Sequence, residues 1–123
     1  MKYLILIHSN PKSRALWDTM TEAQRVDFGQ AHYALSDEWA DSGELIASAG
    51  LPDPSHSTFV SVWDGQTITS DGPYAEVKEY LAGFYLIECD SVEQAVERAA
   101  RIPDAYGGQV EVRPVYGRGG LEL

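Results

Sequence analysis

The chain has little cysteine and few basic residues, and both shortages exclude classes of function. Its single cysteine, Cys89, has no partner for an internal disulfide, and the histidines lack the paired Cys/His spacing of a zinc site. We therefore assign no metal and expect a reducing cytoplasm. Nine Lys and Arg against nineteen Asp and Glu give a net charge of −10, which repels nucleic acid and anionic membranes. Neither is an expected partner.

Long apolar runs and phosphate-binding glycine loops are also missing. The apolar run from Tyr3 to Ile7 is too short for a signal-peptide core or a membrane span, and it is typical of a buried strand. The pair Gly107-Gly108 lacks the strand-to-helix setting of a phosphate loop, so no nucleotide or other cofactor is predicted. The length of 123 residues predicts one domain over residues 1–116 and a flexible tail over 117–123.

Capping and turn signals divide the chain into strands and two helices. Capping boxes begin at Thr21 and Ser91, and Asp64-Gly65 predicts a hairpin turn. Strands are predicted over residues 2–8, 45–51, 57–63, 66–70, 80–89 and 109–115, with a turn at Asn10-Pro11 closing the first one. The order βαββββαβ predicts an α+β fold, a ferredoxin-like βαββαβ frame with an inserted β-hairpin and two helices on one face of an antiparallel sheet.

Both faces of the predicted sheet are apolar. Alternation separates Leu4 and Leu6 from Tyr3, Ile5 and Ile7 in the first strand, and it groups Leu81 with Tyr85 and Ile87 in a later one. The helices cover only one face, and the other would exceed the apolar patches that monomers expose. We therefore expect a homodimer packed sheet to sheet.

The run Asp71-Gly72-Pro73-Tyr74, followed by the apolar strand to Ile87, is the most characteristic segment. It resembles the Asp-Gly-Pro-Phe signature of the DGPF proteins, a branch of the YCII-related superfamily, with Tyr74 in the place of the phenylalanine. The resemblance implies a dimeric α/β-barrel. It also implies isomerase, dehydrochlorinase or monooxygenase-type chemistry by analogy of fold, or a link to sigma-factor-type transcription regulation through protein contact.

His32 is the candidate acid or base. Its helical spacing to Phe28, Leu35 and Trp39 places it on the inward face of the first predicted helix. The alternative is a core histidine whose two nitrogens are satisfied by backbone or Tyr partners. The resemblance implies the catalytic role, because the family's helix histidine precedes an Ala-Gly step like the one at residues 49–50.

The resemblance also implies an aspartate partner for this histidine, just before a Pro-Tyr step after the last helix. Here Ile102 stands in the place of that aspartate, and the sequence continues as Pro103-Asp104-Ala105-Tyr106. The pair is therefore broken unless Asp104 or another carboxylate substitutes, and Asp104 is the candidate partner.

Four other residues are candidates for ligand binding, each with a structural alternative. The position of Asp71 before Gly72 favours a role as a turn cap, and the alternative is that Asp71 and Tyr74 form the wall of a pocket. Arg113 favours an ion pair with Glu111 over bidentate binding of a ligand carboxylate. His8 ends the first strand, where it either assists His32 or faces solvent.

Two functions follow from these residues. One is the binding or transformation of a small organic acid or lactone by proton transfer at His32. The other is a non-catalytic interaction module whose acidic surface binds a basic protein partner. The tryptophans at positions 17, 39 and 63 are expected in the core, since the acidic charge disfavours a base-stacking platform.

Overall fold

The computed structural model describes residues 1–72 and 78–121. Its helices and strands are β1 (Lys2–Ser9), α1 (Pro11–Thr19), α2 (Glu22–Asp41), β2 (Leu45–Gly50), β3 (Thr58–Trp63), β4 (Gln66–Asp71), β5 (Tyr80–Glu88), α3 (Val92–Ala100), β6 (Gln109–Pro114), β7 (Tyr116–Gly117) and β8 (Gly120–Leu121). Short 3-10 turns cover Pro54–His56 and Pro103–Ala105.

The main sheet has the strand order β2-β5-β1-β6, and its three pairings are antiparallel. This is the predicted ferredoxin-like frame. In the central strands Tyr3 pairs with Ile87 and Ile5 with Tyr85, and all four side chains are buried on the same face of the sheet. Residues of α2 and α3 complete this core, so the apolar run of β1 is buried under the two helices.

Helix α1 was not predicted. The Asn10 side chain accepts a hydrogen bond from the Ser13 backbone at 2.8 Å, and the Ser13 hydroxyl accepts one from the Asn10 backbone at 3.0 Å. Pro11 occupies the first helical turn, where its missing N–H costs nothing. The prediction of a plain turn at Asn10-Pro11 is wrong because the same pair also begins a helix.

A β-bulge between β1 and β5 changes which side chains face the helices. Ile7 pairs with Gly83 but His8 pairs with Leu81, so Ala82 has no partner in the register. Ala82 packs against the core while Leu81 is 37% exposed. The predicted grouping of Leu81 with the inward residues is therefore wrong, because simple alternation does not continue through a bulge.

The predicted hairpin is confirmed, as β3 pairs with β4 in a separate two-stranded sheet. Asp64 and Gly65 have φ values of 50° and 75°, as a type I′ turn requires. Trp63 is 76% exposed on this hairpin and Trp17 is 39% exposed, so only Trp39, at 1%, occupies the core as expected.

The end of the described chain forms a small hairpin of β7 and β8, which begins at Tyr116, the last residue of the predicted domain, and continues into the predicted tail. The domain boundary at residue 116 stays a prediction. Within residues 1–72 and 78–121, every helix is too short or too polar to span a bilayer.

The homodimer also stays a prediction, and mutations on the face of the sheet opposite the helices can test it. Leu4, Phe84 and Leu86 lie there, half-buried and outside the core cluster that the described helices form with the sheet. We expect sedimentation velocity at micromolar concentration to show a dimer, and Leu86→Lys to dissociate it because a desolvated charge is costly. The matched change Val26→Lys, on the exposed face of α2, should leave the dimer intact. A wild-type monomer at this concentration would refute the prediction.

Candidate functional site

His32 lies on the inner face of α2, as its spacing predicts. The helix begins with the Thr21–Gln24 capping box, and Leu35 and Trp39 continue the same stripe into the core. The imidazole ring lies 5.3 Å from the ring of Phe28, and 24% of the side chain is exposed. His32 is therefore held at the border between the core and solvent.

Both ring nitrogens of His32 are hydrogen-bonded. Nε2 lies 2.5 Å from Asp104 Oδ1, and Nδ1 lies 2.6 Å from the hydroxyl of Tyr85. The three residues come from different elements: α2, the 3-10 turn Pro103–Ala105 and β5. The structure thus brings together the two residues proposed as a catalytic pair and adds a tyrosine to them.

The surroundings of Tyr85 affect which group donates in each hydrogen bond between Tyr85, His32 and Asp104. Burial raises the pKa of the Tyr85 hydroxyl, hydrogen bonding to Ser36 opposes the increase, and the charge of Asp104 supports it. The tautomer of His32 with its proton on Nε2 donates to Asp104 Oδ1 and accepts at Nδ1 from the Tyr85 hydroxyl, so this one tautomer satisfies all three groups.

The position of Asp104 follows from the end of α3. Ile102 is fully buried in the core, so the residue in the place of the family's aspartate serves packing. The 3-10 turn that begins at Pro103 then directs Asp104 toward His32, with 23% of the Asp104 side chain exposed. A carboxylate two residues further along the chain thereby pairs with the histidine.

Two clefts meet at Asp104, and Phe28 and Ala82 also line both of them. The first has a volume of about 460 Å³ and extends toward α1, where Arg14 and Trp17 line it. The second, of about 580 Å³, extends along β2 and β5 and contains His32 and Tyr85. Both volumes suit a small organic ligand.

His8 and Arg113 belong to a separate cluster around Glu111. His8 Nε2 lies 2.9 Å from Glu111 Oε1, and Arg113 forms the predicted ion pair with Glu111 at 2.7 Å. Hydrogen bonds from His8, and then from Arg113, hold the pKa of Glu111 below its usual value. His8 also lines the first cleft, whereas Arg113 lines neither of the clefts that meet at Asp104.

Asp71 is the exposed last residue of β4 and pairs with Thr58. Tyr74 lies outside the described residues. Gly72, next to Asp71, lies so close to the ring of Phe59 that any Cβ would collide with it. The described part of the signature turn is therefore joined to the hairpin by close packing.

Tyr85 and Arg14 were not predicted as site residues. A signal for Tyr85 existed, because a tyrosine on the inward, apolar face of a strand needs a hydrogen-bond partner. Arg14 gave no comparable signal, since the helix that carries it was not predicted.

Comparison with known proteins agrees with this structure. The YCII-related domain family matches residues 1–117. The chain belongs to this family. An uncharacterized protein of Rhizobium meliloti (strain 1021) is 32% identical over 117 residues, covering 94% of this chain and 92% of the relative.

A solved structure shares the fold. It is 5-chloro-2-hydroxyhydroquinone dehydrochlorinase (TftG) from Burkholderia phenoliruptrix AC1100, in complex with 2,5-dihydroxybenzoquinone. The TM-score is 0.52 at 16% identity, and the match covers 98% of this chain and 99% of that one. The family resemblance and the fold predicted from the sequence are confirmed.

The raised pKa of Tyr85 predicts how stability changes in alkali. The folded state disfavours the phenolate. The stability that the neutral Tyr85 contributes to the fold is therefore fully present below the ordinary tyrosine pKa of about 10, and it is lost as pH rises through the higher pKa of the folded state. Tyr85→Phe should therefore lose less stability than the wild type above about pH 10, measured by urea unfolding. Tyr116→Phe, at an exposed site, is the control. Parallel stability curves for Tyr85→Phe and the wild type would contradict the assignment.

Proposed function

We propose that the chain binds a small organic molecule in the clefts at Asp104 and transfers a proton to or from it. The observation that carries this proposal is the hydrogen-bond chain Asp104–His32–Tyr85 at the place where two clefts meet. A carboxylate held by an imidazole is a suitable acid–base group, and a tyrosine that fixes the imidazole keeps it in one orientation.

In this arrangement Asp104 and His32 act as one unit. The hydrogen bond to His32 uses Asp104 Oδ1, and Oδ2 serves as the base. A ligand with an acidic C–H beside a carbonyl gives its proton to Oδ2 and becomes an enolate, while Asp104 becomes a carboxylic acid. Nε2–H remains bonded to Oδ1 throughout. Return of the proton to a different carbon isomerises the ligand, and the transfer needs no further reactant.

The lining of the clefts supports small organic acids and lactones as the ligand class. Trp17, Phe28, Tyr80 and Tyr106 supply aromatic surface in the first cleft, which suits a planar molecule. The quinone bound to TftG is a planar, oxygenated ring with acidic hydroxyls, so 2,5-dihydroxybenzoquinone belongs in the first panel of test compounds.

Ligand-dependent stabilisation tests this proposal. We expect thermal shifts with members of the panel for the wild type, since a ligand at 100 times its Kd adds about 2.7 kcal/mol. Asp104→Asn and His32→Ala should lose the shift. Glu111→Gln is the matched control, because it removes a second His–carboxylate contact, that of His8, and Glu111 lies outside both clefts. If all three variants respond like the wild type, or none of the panel binds, the proposal fails.

The hairpin β3–β4 favours a second candidate, the protein-interaction module. Large apolar side chains are exposed along it, at Phe59, Val60, Val62, Trp63 and Ile68. Its charged residues are acidic, Asp64 and Asp71, which suits a basic partner carrying an apolar groove.

Capture at low salt tests the second candidate. We expect the wild type to retain a specific basic protein and Trp63→Ser to lose it, because Trp63 is the most exposed of these apolar side chains. Val92→Ser on α3 removes a comparable exposed side chain elsewhere and should retain the partner. Equal recovery by both variants, or no partner at all, would count against the module.

A further inference from the structure

Arg14 lies in the wall of the first cleft, on the α1 helix, and its guanidinium is held in a fixed orientation. Nη1 donates to the Ser9 hydroxyl at 3.0 Å, and Nη2 donates to the Lys78 carbonyl at 2.6 Å. The guanidinium carbon also lies 5.1 Å from the centre of the Tyr80 ring. An arginine immobilised in this way loses little further entropy when it binds a ligand.

The two hydrogen-bond partners of Arg14 are neutral, and within the described ranges the charge of Asp53 acts on its guanidinium only through space, without a salt bridge. Arg98, Arg101 and Arg113 each form an ion pair with a glutamate there, whereas the hydrogen bonds of Arg14 go to a hydroxyl and a carbonyl. A guanidinium has five N–H donors, so the two bonds leave others for a ligand. Among residues 1–72 and 78–121, Arg14 is also the only Lys or Arg that lines either cleft at Asp104.

The other residues of the first cleft indicate which kind of ligand would carry an anionic group to Arg14. The rings of Trp17 and Phe28 meet edge to face with centres 5.4 Å apart, and Tyr80 and Tyr106 add further aromatic surface. Asp18 lines the same cleft and opposes an anion, so only a ligand that pairs directly with Arg14 overcomes its repulsion.

We propose that this cleft binds a planar aromatic carboxylate, whose carboxylate pairs with Arg14 and whose ring lies against the aromatic wall. The ligand's other end then faces Asp104, which lines the same cleft. The inference rests on the proposed function and narrows its ligand class. It assigns to Arg14 the carboxylate-binding role that was the less favoured alternative for Arg113.

Two probes of the same shape isolate the charge, 4-hydroxybenzoate and 4-hydroxybenzamide, measured by calorimetry. We expect the wild type to bind the benzoate at least about tenfold more tightly, the usual gain from charge-assisted hydrogen bonds. Arg14→Gln should abolish that preference and Asp18→Asn should increase it. Lys12→Gln removes an equal charge from the same helix without lining either cleft, and it should keep the preference.

Equal affinity for the two probes in the wild type, absence of binding, or a preference that survives in Arg14→Gln would overturn the inference. Circular dichroism of each variant shows that α1 is intact, and Arg14→Lys should restore part of the preference if charge is the cause.

The result is separable from the proposed function. If neutral lactones bind in a manner that depends on Asp104 while no carboxylate preference exists, the proton-transfer site stands and the Arg14 site fails. If the preference exists but Asp104→Asn leaves every ligand response unchanged, the Arg14 site stands and the proton-transfer proposal fails.

Discussion

The hydrogen bonds on the two sides of the His32 ring constrain the site more than any other interaction. A half-buried imidazole needs partners for both nitrogens, because each polar group left unpaired away from water costs about 1–3 kcal/mol. Tyr85 and Asp104 meet this need from β5 and from the turn after α3. The three residues thereby fix the distance between the helix and the sheet at the point where the clefts open.

The surrounding fold places His32, Tyr85 and Asp104 at the border between the core and solvent, and not in the centre of the core. Ile102 and Trp39 are buried and complete the core beneath it, while Asp104 keeps part of its side chain in contact with solvent. The bulge in β5 places the small side chain of Ala82 beside Asp104, where both clefts have space. A larger side chain at this position would fill the junction. Packing and a local irregularity of the sheet thus create the cavity beside the Asp104–His32 pair.

The sequence was sufficient to predict the frame and part of the site. The capping box at Thr21 and the Asp64-Gly65 turn are local signals that hold in the structure. At Ser91 only half of the predicted capping box forms, because the Ser91 side chain accepts from the Gln94 backbone while the Gln94 side chain accepts from Asp90 instead. The inward face of His32 followed from helical spacing in the same way. The bulge at Ala82 and the helix at Pro11 depend on details of register and capping that simple patterns do not distinguish.

Local sequence patterns could not predict the pairing of His32 with Asp104, for a different reason. The residues are far apart in sequence, and a family pattern pointed to position 102, where the chain has a buried isoleucine. Only the tertiary path of the 3-10 turn decides which carboxylate reaches the imidazole. Arg14 and Trp17 became visible as cleft residues for the same reason, once the path of α1 was known.

The most direct test of this account is the tautomer of His32, read from the nitrogen-15 and proton correlations of its ring at about pH 8. The hydrogen-bond chain predicts a single tautomer with the proton on Nε2, donated to Asp104, and with Nδ1 accepting from Tyr85. A ring with its proton on Nδ1, or an even mixture of the two tautomers, would contradict the arrangement from which the proposed proton transfer is derived.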